Sequence, residues 1–534
     1  MVDYVPHAPD EREKYLYYGS QGRWIFCVFL LAFAGVMFGL SRLAGNSMWT
    51  SLLYELIALQ VAAVMISLLS STRKRRSSRA EHDALVAGYR PLAFPSVDVF
   101  LPSAGESLAI LQNTFLHVAL LDWPGTLTVY VLDDSARASV ADLAARYGFR
   151  YHSRPDAGVL KKAGNLRYGY ENSDGDLIHV FDADFAPRAD MVRELAPYFG
   201  DPAVGIVQSP QFFDVQQEHF NWLQRSAGAT QEMFYRWIQP ARDAVDAAIC
   251  VGTNAVYRRA ALVAAGGFAQ IGHSEDVHTG VNMAKAGFRT RYVPVNLAKG
   301  VCPDNFDGFA NQQYRWCTGS MSLLADPDFH RSALTVKQKL CFWTGFLYYI
   351  TTAIAAFTSQ LPAFLMLWCF PEQIRPLNYL PLIGTIFVWS TVMPRVTDYR
   401  WTPAVMRVQM LIGFCHALAL YDFLRGRTAA WVPTGAAKRT PTAKRVLRLL
   451  RIWLITTQVL TWSGIALCVT QYGVGQLWAT ILFAGPMVYF VWPLLLGGRA
   501  TPERHPAEPN AVDNDAVLPE AHWTAAAYAS SSKS

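Results

Sequence analysis

Long runs of apolar residues lie towards the two ends of the chain, and the middle of the chain has no run of comparable length. A helix needs about 20 mostly apolar residues to cross a bilayer. The candidate runs are Trp24–Ser41, Thr50–Ser71, Cys341–Phe370, Pro376–Pro394 and Ile452–Gly498. The last run is about two spans long and is interrupted at Tyr472–Gln476, so the pattern predicts six spans in all.

Basic residues indicate how these spans are oriented. The second run is followed directly by Arg73, Lys74, Arg75, Arg76 and Arg79. Cytoplasmic loops carry an excess of Lys and Arg, so we expect this end of the hairpin, both termini and the region between the two groups of spans to be cytoplasmic. The sequence thus predicts a multi-pass protein of the plasma (inner) membrane, with its spans in membrane lipid.

One apolar stretch, Val408–Tyr421, is too short to assign by its length alone. The basic residues that follow it are Arg425, Arg427, Lys438, Arg439, Lys444, Arg445, Arg448 and Arg451. If the stretch crossed the membrane, all these charges would lie outside, against the usual distribution. We therefore predict an interfacial helix.

The middle of the chain alternates strand-like and helix-like segments. The strand-like segments are Ser96–Leu101, Leu127–Leu132, Phe149–His152, Leu177–Phe181 and Val204–Gln208. Repeated βα units predict a mostly parallel sheet with helices on both faces. In such sheets, ligands bind beyond the carboxyl ends of the strands, so the residues after each strand are the candidates for chemistry.

Composition supports a membrane protein with a soluble insert. Hydrophobic residues make up 52% of the 534 residues, and charged residues only 16%. Much of the net charge of +6 lies beside the apolar runs, so we interpret it as membrane topology rather than nucleic-acid binding. We expect a transmembrane hairpin at 1–80, a cytoplasmic α/β domain at 81–340, further transmembrane and interfacial helices at 341–498, and a disordered tail at 499–534.

Pairs of carboxylates follow two of the predicted strands. Asp133 and Asp134 follow one strand, and Asp182 and Asp184 follow another. Residues two apart in an extended chain point the same way, so Asp182 and Asp184 can face one ligand. Such oxygens suit Mg²⁺ or Mn²⁺, and the cation would offset the charge of a leaving nucleoside diphosphate. The alternative is a solvated turn. The presence of a second carboxylate pair after a neighbouring strand makes this alternative less favoured.

Three further motifs have side chains suited to binding phosphate or sugar. Lys161-Lys162-Ala-Gly-Asn opens a predicted helix and can bind phosphate; a solvated lysine pair is the alternative. His273-Ser-Glu-Asp-Val-His278 contains two acidic side chains, and one of them could act as the base that removes a proton from the acceptor hydroxyl. The alternatives for this motif are a helix start or a zinc site. In Gln312-Gln-Tyr-Arg-Trp316 the tryptophan can stack on a sugar and the arginine can pair with phosphate; an ordinary amphipathic turn is the alternative.

In order and spacing, these motifs resemble the D, D, D, QxxRW signature of processive family-2 glycosyltransferases, which include cellulose, chitin and hyaluronan synthases. The resemblance runs from about residue 95 to the last span. The sequence resembles bacterial cellulose synthase catalytic subunits and cellulose synthase-like proteins in particular. Their VQxPxxF segment resembles Val207–Phe213, and their CGSxAVxRR segment resembles Val251–Arg259.

The resemblance implies an α/β GT-A-like glycosyltransferase domain inserted in a helical bundle of about six spans. It also implies residue roles. The nucleotide would be bound by Asp133, Asp134 and Lys162, and the Mg²⁺ or Mn²⁺ with the diphosphate by Asp182 and Asp184. The general base would be Asp276. The acceptor end and the leaving pyrophosphate would be bound by Gln312, Arg315 and Trp316.

Two features depart from the cellulose synthase pattern. The FxVTxK gating loop is replaced, within 424–448, by Trp431-Val-Pro-Thr434-Gly with Lys438 beyond. Thr434 is the candidate donor contact there, and a plain cytoplasmic linker is the alternative. Many of the bacterial enzymes also carry a cyclic-di-GMP-binding PilZ domain, for which 499–534 is too short, so we expect no control by that messenger through this chain.

The sequence thus predicts a processive, inverting enzyme that polymerises a sugar, with UDP-glucose as the first choice of donor, into a β-linked glucan and translocates it. The same chemistry with UDP-N-acetylglucosamine or GDP-mannose, and single-sugar transfer to a lipid carrier, are the alternatives. A transporter is the alternative that is not an enzyme. The expected partners are the nucleotide sugar, the growing polysaccharide and accessory export subunits, without nucleic acid.

Overall fold

A seven-stranded sheet and a three-stranded sheet organise the middle of the chain in the computed structural model, which describes residues 5–18, 23–71, 78–215, 217, 220–398, 400–427 and 440–496. The strands are β1 Val97–Ser103, β2 Leu127–Asp133, β3 Arg150–His152, β4 Leu177–Val180, β5 Ala186–Pro187, β6 Val204–Gln208, β7 Phe212–Phe213, β8 Ala255–Arg258, β9 Arg289–Tyr292 and β10 Ala298–Gly300. The predicted strands are β1, β2, β3, β4 and β6.

The large sheet has the order β3-β2-β1-β4-β8-β6-β9. Its pairs are parallel except where β8 runs antiparallel to both β4 and β6. Every residue of β1 and β6 is buried, as expected for strands covered on both faces. The mostly parallel sheet of a GT-A-like domain is therefore confirmed, with an antiparallel strand that the βα pattern did not predict.

Helices cover both faces of the sheet because successive strand residues point to opposite sides. Val99 and Leu101 lie in one hydrophobic cluster, while Phe100 between them lies in another. The helices of this region are Arg79–Gly88, Leu108–Ala119, Ala138–Arg146, Lys162–Glu171, Met191–Leu195, Trp222–Met233, Gln239–Asp243, Arg259–Ala265, Glu275–Lys285, Phe306–Leu324 and Pro327–Arg331.

Six helices among the described residues are long and apolar enough to cross a membrane. They are Trp24–Ala44, Thr50–Ser70, Val336–Cys369, Pro376–Val396, Pro441–Tyr472 and Val474–Leu495. The predicted number of spans is confirmed, and the last two are separated at Gly473, whose φ is +80°. The fifth helix starts at Pro441 rather than near Ile452, because Thr440 caps it by accepting from the Ala443 N–H. The chain is thus a multi-pass membrane protein.

The helix Val405–Leu424 replaces the shorter stretch for which an interfacial position is predicted, and it is not among the six candidate spans. Its side chains Leu411 and Cys415 join the core cluster that also contains Phe309 and Met321 of the helix Phe306–Leu324. The core of the α/β domain therefore continues into the helices next to the spans. The predicted gating segment 431–438, including Thr434, and the tail 499–534 lie outside the described residues.

The chain before the first span packs against the α/β domain, a contact without a signal in the sequence. The Lys14 side chain is only 5% exposed, and its Nζ lies 2.7 Å from Asp190 Oδ2 and 2.7 Å from Glu194 Oε1. The other oxygen of Glu194 lies 2.6 Å from His82 Nε2. This network joins the N-terminal segment to the helices Arg79–Gly88 and Met191–Leu195.

A second buried network joins the same segment to the membrane helices. Glu232 is 1% exposed and accepts a hydrogen bond from the Tyr17 hydroxyl at 3.0 Å. The same carboxylate accepts from Arg236 and, at 2.7 Å, from Arg400 Nε, which follows the fourth candidate span. A buried carboxylate is stable only when it is paired and hydrogen-bonded, so Glu232 fixes these three segments relative to one another.

We expect Lys14→Met to lower the free energy of unfolding by about 3 kcal/mol, because it removes one partner of a buried ion network. The loss should stay at the low end of the range for buried pairs, since Asp190 keeps Arg188 and Glu194 keeps His82. Thermal unfolding in detergent measures the change. The control is Arg12→Met, whose exposed pair with Asp398 should contribute no more than about 1 kcal/mol. Equal effects of the two substitutions would contradict the assignment.

Candidate active site

Asp133 lies at the carboxyl end of β2 and is completely buried. Its oxygens accept hydrogen bonds from the Ser135 N–H at 2.9 Å, the Arg137 N–H at 3.0 Å and the Tyr151 hydroxyl at 3.1 Å. These bonds shape the turn after β2. Asp133 thus lies where the sequence predicts a nucleotide contact, with its carboxylate already bonded to the turn.

Asp134 is held by an arginine that the sequence analysis did not single out. Arg154 Nε lies 2.6 Å from one oxygen of Asp134, and Arg154 Nη2 lies 2.8 Å from the other. The same guanidinium donates to the carbonyl oxygens of Val159 and Lys161. Lys161 has a φ of +52°, a left-handed backbone that only surrounding contacts maintain. The Asp134–Arg154 pair therefore fixes the loop that presents Lys162.

Lys162 lies at the centre of the site. Its Nζ is hydrogen-bonded to Asp182 and, at 2.9 Å, to the carbonyl oxygen of Gly252, and it lies 4.0 Å from Glu275 Oε1. Burial on its own would lower the pKa of this amine, but the charges of Asp182 and Glu275 outweigh burial and raise it. One ammonium group thus connects three of the motifs found in the sequence.

Asp182 and Asp184 follow β4, and the Asp182 N–H donates to Thr253 Oγ1 at 2.8 Å. Burial, followed by the charges of Asp182 and Glu106, raises the pKa of Asp184 to about 7. No group of three or more His, Cys, Asp or Glu ligands is assembled within the described part of the chain. The crowded carboxylates fit a divalent cation whose other ligands would be phosphate and water.

Asp276 lies in the first turn of the helix Glu275–Lys285, which agrees with the helix-start interpretation of that motif. Its Oδ1 accepts from the Val277 N–H at 2.8 Å. Burial, followed by the charge of Glu275, raises the pKa of Asp276 to about 7. Gly252 packs against it so closely that a Cβ there would lie 2.7 Å from Asp276 Oδ2. Asp276 is therefore a half-buried acid under the loop 251–254.

The helix Phe306–Leu324, here the motif helix, brings Gln312, Arg315 and Trp316 onto one face, because residues three and four apart are neighbours on a helix. Arg315 interacts electrostatically with Glu275, Asp182 and Asp276, and burial lowers its pKa. A Cβ at Gly319 would lie 1.9 Å from Ser274 Oγ, so glycine permits this close contact with the turn before Glu275. His278 Nε2 lies 3.1 Å from Ser322 Oγ on the same helix.

Hydrogen bonds that the sequence analysis did not anticipate hold the loop 251–254. The Gln208 carboxamide donates to the Thr253 carbonyl at 2.8 Å and accepts from the Val251 N–H at 3.0 Å. The Tyr235 hydroxyl donates to Gln211 Oε1 at 2.9 Å, and Gln211 Nε2 donates to the Val251 carbonyl. The two glutamines belong to the segment Val207–Phe213, whose resemblance to the VQxPxxF pattern could have pointed to them. Tyr235 lies in a π-helical turn that a helical sequence pattern does not reveal.

Residues 177–393 match the family model described as glycosyl transferase family group 2. This part of the chain is similar to family-2 glycosyltransferases. The matched region includes Asp182, Asp276 and Arg315, which the structure brings together. The match favours an enzyme over the transporter alternative.

The curated relatives of this chain include bacterial cellulose synthases. It is 34% identical over 285 residues to "Cellulose synthase 1" of Komagataeibacter xylinus, covering 52% of this chain and 18% of that protein. It is 30% identical over 309 residues to "Cellulose synthase catalytic subunit [UDP-forming]" of Pseudomonas fluorescens, covering 57% of this chain and 40% of that protein. The chain thus spans less than half of the length of these relatives.

Among solved structures, the chain is similar to the mannosyltransferase of Pyrobaculum calidifontis in complex with GDP-Man and Mn²⁺. It is 15% identical, has a TM-score of 0.48, and covers 70% of this chain and 98% of its own.

We expect Gly252→Ala to destabilise this protein by about 3 kcal/mol. The left-handed backbone at Gly252 (φ +75°) penalises any side chain, and the new methyl group would collide with Asp276. Gly266→Ala is the matched control, because Gly266 has a φ of +83° but open space around its Cβ position; its cost should be about 1 kcal/mol.

Denaturant or thermal unfolding of the double variant Gly252→Ala/Asp276→Ala tests the cause of this penalty. With the carboxylate gone, the cost of the alanine should fall but stay above that of the Gly266 control, because Asp276 Cβ would still lie 2.9 Å from the new methyl group. Additive effects would show that Asp276 does not lie against Gly252.

Proposed function

We propose that this chain is a processive, inverting glycosyltransferase that polymerises glucose from UDP-glucose into a β-linked glucan and passes the product through the membrane. The observation that carries the proposal is the group formed by Lys162, Asp182, Asp276 and Arg315. The similarity to relatives described as UDP-forming cellulose synthases supports the choice of donor and product. The basic residues after the second span support a cytoplasmic active site in the inner membrane.

The donor would bind at the carboxyl ends of β2 and β4. Asp134 and the turn ordered by Asp133 would contact the nucleoside. Lys162 would contact the diphosphate, and its raised pKa keeps the charge that this requires. Asp182 and Asp184 would hold Mg²⁺ or Mn²⁺, which supplies positive charge to the leaving nucleoside diphosphate when it is bound. The excess of carboxylates over cationic side chains at the centre supports this part of the proposal.

Transfer requires an acceptor hydroxyl to lose its proton as it attacks the sugar carbon. Asp276 would take that proton, since a base works best when its pKa lies near the working pH. Attack from the side opposite the nucleotide inverts the configuration, so an α-linked donor gives a β linkage. Arg315 would stabilise the negative charge that develops on the diphosphate.

Elongation requires that the product end stays bound after each addition. Gln312 and Trp316 share a helix face with Arg315 and would hold the terminal sugar by hydrogen bonding and stacking. The motif helix also packs against Val405–Leu424 and against Pro441–Tyr472, which is the fifth candidate span. These contacts support direct passage of the product from Gln312 and Trp316 into the membrane region.

The deciding experiment supplies purified protein with UDP-glucose and Mg²⁺ or Mn²⁺, and follows UDP release and polymer formation with linkage analysis. We expect cation-dependent UDP release and a β-linked glucan. Asp276→Asn should reduce elongation by at least about 100-fold, as expected for loss of a general base, while UDP binding stays close to that of the wild type. Release only from UDP-N-acetylglucosamine or GDP-mannose would change the donor, and no release from any nucleotide sugar would overturn the proposal.

The rate of transfer at saturating donor should depend on the protonation of Asp276. A base acts only when it is deprotonated, so the rate should rise as pH increases through about 7 and level off at higher pH. A pH–rate profile from about pH 5.5 to about 8.5, with UDP binding measured in parallel, provides the measurement. A flat profile over this range would contradict the role of Asp276.

A further inference from the structure

The motif helix is tied by side-chain hydrogen bonds to two helices on the membrane side. The Tyr314 hydroxyl, next to Arg315 in the chain, donates to Asp422 Oδ2 at 2.9 Å. Three residues earlier, Asn311 Oδ1 accepts from Thr440 Oγ1 at 2.8 Å. Asn311 and Tyr314 are neighbours on one helix face, so the two bonds act at nearly the same point of the motif helix.

Asp422 is the centre of this contact. It is 1% exposed, and Arg445 donates to its two oxygens at 2.8 and 2.7 Å. Two parallel charge-assisted bonds fix direction as well as distance. Asp422 lies near the end of Val405–Leu424, and Arg445 lies in the second turn of Pro441–Tyr472. We call this set of hydrogen-bonded side chains the polar tie; it consists of Asn311, Tyr314, Asp422, Thr440 and Arg445. The tie fixes three helices relative to one another.

Apolar packing already attaches the motif helix to its neighbours. Phe309, Cys317 and Met321 are buried in the core cluster that continues into Val405–Leu424. Such packing is not directional, whereas buried polar bonds can select one register between helices. The polar tie therefore fixes the rotation of the motif helix about its axis and its position along that axis. The apolar packing alone would keep the helix attached.

We propose that Asn311 and Tyr314, with Thr440, Asp422 and Arg445, are positioning residues that hold the sugar-binding face of the motif helix in register with the helix leading into the fifth span. This inference rests on the proposed function. Neighbours in a helix differ by about 100° in direction, so Tyr314 contacts the membrane-side helices while Arg315 faces the acidic centre. Loss of the tie lets the product end leave between additions, and each transfer step itself continues.

The test uses the full-length protein with Tyr314→Phe, Asn311→Ala and the double variant. Each substitution removes one polar contact to the membrane-side helices while Thr440 still caps Pro441–Tyr472. Tyr130→Phe is a matched control, because it removes a hydroxyl on β2 that accepts a hydrogen bond from Arg150 of β3. Thr457→Val is the second control, since that hydroxyl bonds only within its own helix, to the Leu454 carbonyl. Thermal unfolding in detergent identifies any variant that fails to fold.

The first measurement is the length distribution of the polymer, together with kcat and KM for UDP release. We expect the double variant to shorten the product at least about fivefold while the KM for UDP-glucose and the rate of UDP release stay within about twofold. The two control variants should keep the wild-type length. An unchanged length in the double variant, or an equal fall of length and UDP release, would overturn the inference.

The second measurement does not depend on activity. Hydrogen–deuterium exchange should become faster in residues 311–316 of the double variant and stay unchanged in the large sheet, because the tie stabilises the motif helix locally. Unchanged exchange in 311–316 would also overturn the inference. If the wild type turns over no nucleotide sugar, the proposed function fails, and the exchange result still decides whether the tie holds the helix.

Discussion

The pairing of Lys162 with Asp182 is the interaction on which the rest of the site depends. The Lys162 side chain is 23% exposed, and pairing with carboxylates offsets the cost of removing the rest of its ammonium group from water. Lys162 therefore draws together the strand end that carries Asp182, the loop containing Gly252 and the helix that starts at Glu275. The surplus of negative charge that remains around it fits a ligand made of a cation and a diphosphate.

Backbone strain at the site is a consequence of this convergence. Leu160, Lys161, Asn254 and Ser274 all have positive φ angles although none is glycine. Each such residue costs about 1–3 kcal/mol and persists only where its surroundings determine its conformation. Arg154 does so for Lys161, and the Asn254 carboxamide, which donates to the Pro210 carbonyl, does so for the loop over Asp276.

Local signals in the sequence predicted much of the fold. Continuous apolar strands and spans are recognisable in a single sequence because their length and periodicity are local properties, and β1, β2 and the six spans agree with the structure. The antiparallel direction of β8, Ala255–Arg258, is not a local property of its sequence. Its partners β4 and β6 fix its direction through tertiary pairing.

The candidate site was predictable only as far as its motifs reach. Asp182, Asp276 and Arg315 could be singled out because their neighbours match known patterns, but Arg154 and Tyr235 act through contacts with distant residues that leave no periodic signal. The docking of Lys14 against Asp190 and Glu194 connects positions about 180 residues apart, and no local rule identifies such a pair. The sequence placed Asp133 at the correct strand end, but only the structure shows that its carboxylate accepts hydrogen bonds from the turn.

The most direct test of a single cation-assisted transfer centre is an experimental structure with UDP and Mn²⁺ bound, with the cation located by its anomalous scattering. The account predicts one manganese peak between Asp182 and Asp184, with the diphosphate within reach of Lys162 and Arg315. It also predicts that Asp276 and Trp316 line the same cavity. A manganese peak away from the two aspartates, or Asp276 and Trp316 in different cavities, would contradict it.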